Sequence, residues 1–263
     1  LFLTSSQHQP LVLAVDNLHW IDPTSEALLA SLVEGLAGAS ILLLATFRPG
    51  YLPFWLDKSY ATQIALQPLG LDESLQVVRS VLRHTSLTQA LEQQLLAKAE
   101  GNPFFLEELA YTLREQAGQA SVLTISDSIQ AVIAARIDRL PSDQRRLLQA
   151  AAVIGKNVSI SLLQTITTSS EETLSRDIAH LQTTEFLSAA GGQPAPTYTF
   201  RHILIQETAY QSLPTSTRRH YHQRIAEALA DQFPGLTETQ PATLAYHYTE
   251  AGLKEPAITY WHR

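Results

Sequence analysis

Residues 11–15 read Leu-Val-Leu-Ala-Val, and Asp16-Asn17-Leu18-His19-Trp20 follows without a break. Five aliphatic residues after Pro10 are typical of a strand that is buried on both faces in the middle of a parallel sheet. Such a strand places Asp16 at the carboxyl edge of the sheet, where α/β proteins bind ligands. A carboxylate at that edge can hold the water shell of a magnesium ion on a nucleotide, although Asp16 could equally begin an ordinary loop.

The segment that follows predicts a helix and then a second strand. Asp22 and Pro23 are typical cap and first-turn residues of a helix, and Gly38 is placed to end it. A second buried strand over Ile41–Phe47 then ends at Arg48. Strand, helix and strand with short connections indicate a parallel α/β arrangement.

Most of the remaining chain has helical periodicity. Gln63–Leu69 predicts one further short strand, and Gly118–Ser128 has the small, polar composition of a linker. Two short strands around Gly191–Pro194 follow four helices, an order that resembles a winged helix, and Gly252 is suited to end a later helix. The helices are predicted over Asp72–Leu82, Leu87–Glu100, Phe104–Gln116, Ile129–Leu140, Ser142–Ile154, Ser159–Ile166, Ser170–Thr183, His202–Leu213, Ser216–Phe233, Thr243–Ala251 and Pro256–Arg263, and the two strands over Phe186–Ala189 and Tyr198–Phe200.

The composition describes a polypeptide that can build its own core. At 263 residues, 45% of them hydrophobic, the chain has room for one large domain or for two or three small ones. It contains no cysteine, which excludes disulfides, thiolate zinc sites and cysteine nucleophiles. No apolar stretch approaches the roughly 20 residues of a membrane span, so we expect a cytoplasmic protein without a membrane partner. Because the chain contains no methionine, we also expect it to be a piece of a longer polypeptide.

The charge distribution argues against binding to nucleic acid. The net charge is −7, and residues 121–231, which include the predicted winged helix, carry ten Lys and Arg against ten Asp and Glu. The helix that would enter a DNA groove begins with Ser170-Glu171-Glu172 and carries Asp177, and these carboxylates would repel phosphates. We therefore expect no nucleic-acid partner, and a winged-helix DNA-binding transcriptional regulator is a disfavoured alternative.

The order of these landmarks resembles that of the signal-transduction ATPases with numerous domains (STAND), a regulatory branch of the AAA+ nucleotide switches. Asp16 through Pro23 resembles the Walker B segment of that family, and Gly101-Asn102-Pro103 resembles its glycine-x-proline element. Phe200–Ala209 resembles, less closely, the methionine-histidine-aspartate motif of related switches. The likeness extends over nearly the whole chain and is greatest to the ATPase region of bacterial multidomain adenylate/guanylate cyclases.

The resemblance implies an α/β plus all-α fold that is predominantly helical. Residues 1–70 would form the C-terminal half of an AAA+ nucleotide-binding core, and residues 71–120 a helical lid. Residues 121–205 would form a winged-helix domain. Residues 206–263 would be a helical segment that leads into tetratricopeptide-like repeats.

The resemblance also implies roles for individual residues. Asp16 would hold Mg²⁺ beside Asn17, and Arg48 would feel the terminal phosphate, since a guanidinium can hold phosphate oxygens in forked hydrogen bonds. Gly101-Asn102-Pro103 would pack against the adenine and ribose, and His202 would contact the β-phosphate of ADP. On the residues alone, Arg48 can be a surface residue of a turn. Equally, Gly101-Asn102-Pro103 can be a common junction between helices and His202 a packing residue.

Three features depart from the pattern of the family. No Gly-x-x-x-x-Gly-Lys-Ser/Thr loop occurs in the 263 residues, so we do not expect this chain alone to bind ATP tightly or to be active. Asn17 stands where many active relatives place a second carboxylate, and this predicts slow ATP hydrolysis because an amide cannot accept the proton of the attacking water. Ile203 stands where the aspartate of the third motif belongs.

The leading hypothesis is a fragment of an ATP-dependent switch that regulates an attached output domain. ATP or ADP and Mg²⁺ would be ligands of the longer protein, a weak ATPase, and the helical repeats would bind protein partners. Overall likeness favours an adenylate/guanylate cyclase as the output domain over a transcription factor or a kinase. The alternative from another class is a protein-interaction scaffold whose nucleotide site has decayed.

Overall fold

The computed structural model describes residues 2–83, 87–116, 128–190, 197–232 and 240–263. The chain forms two compact units, residues 1–67 and residues 68–263. The finer divisions at residues 120 and 205 stay predictions. The predicted linker up to residue 127 and the turn at Gly191–Pro194 lie outside the described residues.

Two parallel strands form the centre of the first unit. A short helix, α1 (Phe2–Ser5), precedes strand β1 (Leu11–Val15), and β1 pairs in parallel with β2 (Ile41–Ala45). Val15 lies directly opposite Ala45 in this register. The predicted pair of parallel strands is confirmed, but the second strand ends two residues before the predicted bound.

A helix joins the two strands. Helix α2 (Pro23–Glu34) begins after Asp22, whose Oδ1 atom accepts hydrogen bonds of 2.9 and 3.0 Å from two backbone N–H groups of the first turn. This cap is the predicted one, because a short carboxylate can satisfy donors that have no partner within the helix. The helix ends at Gly35, earlier than the predicted Gly38, which instead closes a short 3₁₀ turn.

One face of this two-stranded sheet is covered within the described residues of the first unit. Side chains alternate between the two faces along each strand. The covered face packs on a small core formed by Leu18, Leu29, Val33 and Trp55. On the opposite face, Val12, Leu42 and Leu44 keep 66%, 54% and 52% of their surface exposed. The prediction that β1 is buried on both faces is wrong for this structure, because α2 and the segment around Trp55 cover a single side.

The second unit is predominantly helical and contains a small antiparallel sheet with the strand order β3-β5-β4. Its strands are β3 (Asn157–Ser159), β4 (Leu187–Ala189) and β5 (Thr197–Phe200). Its helices are α3 (Leu71–Leu82), α4 (Gln89–Ala99), α5 (Pro103–Gln116), α6 (Ile129–Arg139), α7 (Ser142–Ile154), α8 (Ile160–Thr167), α9 (Glu171–Thr183), α10 (Ile203–Gln211), α11 (Thr215–Gln232), α12 (Pro241–Ala251) and α13 (Lys254–Trp261). The helix predictions are confirmed to within about two residues at most bounds, whereas β3 is a strand that the sequence pattern does not predict.

The predicted strand over Gln63–Leu69 is wrong. These residues have no regular secondary structure, and Ile64 and Leu66 are 79% and 91% exposed. The backbone N–H of Leu69 donates to the carbonyl of Gly101 at 2.9 Å. The alternating apolar pattern predicts a strand here, but no neighbouring strand among the described residues pairs with this segment, and it stays irregular.

Two hydrophobic clusters hold the second unit together. The first joins α3, α4 and α5 around Val78, Leu95 and Leu106. The second is continuous from α6 to α12 and includes Ile133, Leu148, Leu163, Leu181, Ile205, Ile225 and Leu244.

Gly252 ends α12 in the left-handed conformation with φ of 81°, as predicted. Within the described part of the chain, no helix has the length and apolar character needed to cross a membrane.

A buried arginine joins α5, α6 and the turn after α9. Arg136 of α6 is 1% exposed. Its guanidinium donates to Glu108 Oε2 at 2.7 Å, to Glu115 Oε1 at 2.8 and 3.0 Å, and to the Thr184 carbonyl at 2.7 Å. All of its nitrogens therefore have acceptors, which is the condition under which a charge can be buried.

The surroundings of this arginine exclude water. The rings of Tyr111 and Phe186 lie 5.0 and 4.6 Å from the Arg136 guanidinium carbon. Burial raises the pKa of the Glu108 carboxyl, and the positive charge of Arg136 opposes that rise. If the guanidinium were removed, the Glu108 carboxylate would be left buried without a counterion.

We expect Arg136→Met to lower the free energy of unfolding by about 3–5 kcal/mol, because it leaves a buried carboxylate unpaired. Urea denaturation monitored by circular dichroism measures this loss. Arg139→Met is the matched control. The Arg139 side chain is 36% exposed and its ion pair with Glu115 is long, at 3.7 Å, so its loss should cost less than about 1 kcal/mol. The double variant Arg136→Met/Glu108→Leu should recover most of the loss. Equal losses in Arg136→Met and Arg139→Met would contradict this account.

Two buried histidines pack α11 against α12. His222 and His247 are 1% and 2% exposed, and their Nδ1 atoms lie 2.9 Å apart. The His222 Nε2 atom lies 3.1 Å from the Tyr210 hydroxyl. One Nδ1 atom must donate and the other accept, so the ring that accepts must be neutral and the two rings cannot both be protonated. Burial, the larger effect, together with Arg218 lowers the pKa of His222 to about 4, and burial together with His222 does the same for His247.

We expect the free energy of unfolding to fall as the pH is lowered from about 6.5 to about 4, because the unfolded chain binds protons at the ordinary histidine pKa while the folded chain does not. The stability from these two residues is complete above pH 6.5 and is lost toward pH 4. Urea titrations at several pH values measure it, and the double variant His222→Asn/His247→Asn should flatten this part of the profile. His180→Asn, on an exposed face of α9, should leave the profile unchanged. A wild-type profile identical to that of the double variant would refute the assignment.

Candidate functional site

Asp16 lies immediately after β1, at the carboxyl end of the strand. Its side chain is exposed, and both carboxylate oxygens accept hydrogen bonds from neighbouring side chains. The Thr46 hydroxyl donates to Oδ1, and the Asn17 amide nitrogen donates to Oδ2 at 3.0 Å. The structure thus holds the carboxylate in a fixed orientation at the edge of the sheet.

Thr46 is a site residue that the sequence reasoning missed. It is the first residue after β2, and its backbone N–H donates to the Val15 carbonyl at 3.0 Å. Its hydroxyl also accepts a hydrogen bond of 2.9 Å from the Asn17 backbone N–H. The parallel register could have revealed it, because the residue after Ala45 must lie opposite the residue after Val15.

Asn17 stands beside Asp16 in an unusual backbone conformation. Its φ and ψ are 58° and 42°, the left-handed region that asparagine tolerates better than most residues. This turn directs the amide of Asn17 onto the Asp16 carboxylate. The structure therefore brings these two predicted site residues into direct contact.

Arg48 is placed differently from the prediction. Since β2 ends at Ala45, Arg48 follows the strand by three positions and does not terminate it, and its side chain is exposed. Within the described residues, no ion pair joins Arg48 to Asp16, and the polar contact at the end of β2 comes from Thr46. The predicted strand end at Phe47 is wrong, and the phosphate-sensing role of Arg48 stays a prediction.

Gly101-Asn102-Pro103 forms the junction between α4 and α5. Gly101 has a φ of 74°, and a Cβ atom there would lie 2.5 Å from the Leu69 carbonyl oxygen, so a side chain is excluded. The Asn102 Oδ1 atom accepts a hydrogen bond of 3.1 Å from the Phe105 backbone N–H and caps α5, and Pro103 is the first residue of that helix. The local arrangement is the helix junction expected from the residues alone, with Asn102 and Pro103 exposed.

His202 contacts the first turn of α5. Its ring stacks on that of Phe104, with centroids 3.8 Å apart and an interplanar angle of 23°. Phe104 directly follows Pro103, so the structure brings together two predicted nucleotide-contacting elements that are far apart in sequence. Phe104 itself could not be singled out from the sequence, where it reads as one of many apolar helix residues.

The state of the His202 ring follows from its contacts. Nδ1 accepts a hydrogen bond of 3.2 Å from the Leu204 backbone N–H, which caps α10. Burial lowers the pKa of His202, and the negative charge of Glu207 opposes the effect. The ring is therefore neutral at pH 7 and carries its proton on Nε2, which can donate to an anionic ligand. Ile203, in place of the aspartate of the motif, is 47% exposed.

The comparisons with known proteins bear on the fold. No known family profile matches the chain. An uncharacterized protein of Rhizobium meliloti (strain 1021) is 30% identical over 262 residues, a match that covers 95% of this chain and 25% of that protein. The chain therefore spans about a quarter of the length of this relative.

A solved structure supports the architecture. The STAND protein with a tetratricopeptide repeat sensor from Pyrococcus horikoshii superposes with a TM-score of 0.53 and 12% sequence identity. The match covers 95% of this chain and 43% of that one. This chain has a STAND-like fold. At this level of identity the likeness concerns the fold alone, so activity must be argued from the residues.

We expect Phe104→Leu to raise the pKa of His202 toward the ordinary value of 6.5, because loss of the stacked ring exposes the imidazole to water. Titration of the histidine ring protons by NMR measures the change. The matched control is Phe54→Leu, a 39% exposed phenylalanine of the first unit, which should leave the His202 titration unchanged. An unchanged pKa in Phe104→Leu would show that the stack does not desolvate His202.

Proposed function

We propose that this chain is part of a nucleotide-dependent signal-transduction regulator of the STAND type. ADP or ATP with Mg²⁺ would be its ligand, and its nucleotide state would control an attached output domain, for which a nucleotide cyclase is the preferred candidate. The contact between His202 and the first turn of α5 is the observation that carries this proposal. It is supported by the STAND-like fold over 95% of the chain.

The second unit would contact the base and the diphosphate. His202 presents a neutral ring whose Nε2–H can donate to a β-phosphate oxygen, and it lies against the helix that Pro103 begins. A neutral donor suits a switch that must release the phosphate, because its hydrogen bond is weaker than that of a cation. Gly101, Asn102 and Pro103 would pack on the adenine and ribose, and the exposure of Asn102 and Pro103 fits that role.

The first unit would contact the metal and the terminal phosphate. The Asp16 carboxylate is exposed at the edge of the sheet and oriented by Thr46 and Asn17, so it fits a residue that holds magnesium-bound water. Asn17 can orient a water molecule but cannot accept its proton, which fits slow hydrolysis. Arg48, exposed after β2, would bind the terminal phosphate.

The chain lacks the loop that normally cradles the phosphates. No Gly-x-x-x-x-Gly-Lys-Ser/Thr sequence occurs in its 263 residues, so the proposed ATPase activity belongs to a longer protein.

The remaining architecture fits a regulator of the STAND type. In the proposal, residues 1–67 belong to an AAA+ core, α3–α5 form the lid, α6–α9 with the small sheet form a winged helix, and α12 and α13 begin a repeat array in a cytoplasmic protein.

A protein-interaction scaffold is the second candidate. The last two helices expose Tyr246, Ile258 and Trp261 at 46%, 57% and 57% of their surface. Exposed aromatic and aliphatic side chains of this kind are common in protein interfaces. A scaffold would use this surface in the same way whether or not nucleotide is bound.

The flanking open reading frame and ADP binding test the proposal together. A phosphate-binding loop encoded upstream of Leu1 is expected, and the protein that includes it should bind ADP in calorimetry. His202→Phe keeps a ring against Phe104 but removes the Nε2 donor, so it should weaken ADP binding by about tenfold or more. His180→Phe, at an exposed position of α9, should not. Absence of the loop, or equal ADP affinity in both variants, would favour the scaffold.

A further inference from the structure

A cavity of about 420 Å³ lies within the second unit, between α7, α8, α9 and α11. Its volume falls in the range of about 300–1,000 Å³ that is usual for small-molecule sites. Helix α11 presents His220 and Arg224 to this cavity, and helix α9 presents Thr173 and Asp177. Both pairs are spaced by four residues, so each lies on one face of its helix.

Asp177 is a buried carboxylate that has no close donor among the residues that the structure describes. It is 4% exposed, and its Oδ1 atom accepts hydrogen bonds from Gln144 Nε2 and Arg176 Nε, both of them 3.4 Å long. Charge-assisted hydrogen bonds between a nitrogen cation and a carboxylate are normally about 2.7–2.9 Å. A buried charge usually has such a partner, so the carboxylate has unused capacity toward the cavity that it lines.

Gln144 adds a second acceptor behind Asp177. Its amide nitrogen points to Asp177, and its Oε1 atom is buried without a hydrogen-bond partner among the described residues. The opposite orientation of the amide would place an oxygen against the carboxylate, which is repulsive. Gln144 does not line the cavity, so the Asp177 carboxylate is the acceptor that faces it. This arrangement is complementary to a group with several N–H donors and a positive charge, an ammonium or a guanidinium.

The cavity is also lined by two arginines and by one further carboxylate, Asp143. Arg224 donates through one nitrogen to the Thr165 carbonyl at 3.1 Å, and within the described ranges its other N–H groups have no acceptor. His220 lies one turn away on the same helix. Arg146 also lines the cavity and pairs with Asp143 at the exposed rim. A ligand that carries an anionic group as well as a cationic one would match both sets of residues.

We propose that this cavity binds a small molecule that has a carboxylate and a side-chain ammonium or guanidinium, with the side-chain cation on Asp177 and the carboxylate toward Arg224 and His220. A free basic amino acid has this chemistry and fits the volume. The site is separate from the residues assigned to the nucleotide, and the proposal does not depend on the nucleotide switch. In such a regulator it would be a place where a metabolite acts on the packing of α7, α9 and α11.

Calorimetry of the 263-residue chain with three related compounds tests the proposal. L-Arginine carries both charged groups, agmatine lacks the carboxylate, and L-citrulline replaces the guanidinium by a neutral group. We expect saturable binding of L-arginine at one site, and binding weaker by about tenfold or more for each of the other two compounds. L-Lysine should bind like L-arginine, because an ammonium can replace the guanidinium as a donor to the Asp177 carboxylate.

The variant Asp177→Asn tests the residue that carries the argument. It keeps the shape of the side chain and removes its charge, so L-arginine binding should fall by about tenfold or more. Glu172→Gln on the exposed face of α9 is the matched control and should bind as the wild type does. The thermal midpoint of Asp177→Asn should be unchanged or higher, because a poorly paired buried charge is removed. A lower midpoint would show that the carboxylate serves the fold.

Three results would overturn the proposal. The first is no saturable binding of L-arginine or L-lysine at concentrations up to about 10 mM, the range of very weak affinity. The second is equal binding by wild type and Asp177→Asn. The third is equal binding of L-arginine and agmatine, which would remove the anionic half of the site. None of these outcomes bears on ADP binding, so failure here and failure of the nucleotide switch can be told apart.

Discussion

The buried charge of Arg136 is the constraint on which the second unit depends. Arginine cannot lose its proton under any condition in which the protein folds, so every acceptor must be in place before the guanidinium can leave water. The acceptors come from α5 and from the turn after α9, and Arg136 itself comes from α6. Hydrophobic packing alone permits small shifts between these segments, whereas four short hydrogen bonds to one planar group fix both distance and angle.

The position of Arg136 also fixes the contact between His202 and Phe104, through helix α5 on one side and the strands β4 and β5 on the other. Helix α5 is anchored by Glu108 and Glu115 and carries Phe104 in its first turn. On the other side, β4 begins just beyond Thr184 and pairs with β5, and His202 follows β5. The stack of His202 on Phe104 therefore joins the two segments that Arg136 also joins, so α5 and the small sheet are linked at two places. Any ligand that moves the start of α5 must strain these contacts, which gives a physical route from the start of α5 to the small sheet.

The sequence predicts those parts of the structure that depend on neighbouring residues. The aliphatic run of β1, the Asp22 cap of α2 and the glycine that ends α12 are local signals, and the structure confirms them. Contacts across the chain were not predictable in the same way. The pairing of Arg136 with Glu108 requires two helices to be placed first, and Thr46 acquires its role only through the register of the two parallel strands. The error at Gln63–Leu69 has the same origin, because alternation of apolar residues cannot show whether a partner strand exists.

Two buried charges of the second unit show how structural and functional residues can be told apart. Arg136 and Asp177 are 1% and 4% exposed, so both pay a large desolvation cost. Arg136 meets four short hydrogen bonds and two aromatic faces, and its environment is complete. Asp177 meets two hydrogen bonds of 3.4 Å beside a cavity, and its environment is incomplete. A buried charge with a complete set of partners, such as Arg136, fixes the positions of the segments that supply them. A buried charge with an incomplete set, such as Asp177, destabilises the fold unless something else binds to it, and this is why the cavity is better explained by a ligand than by packing.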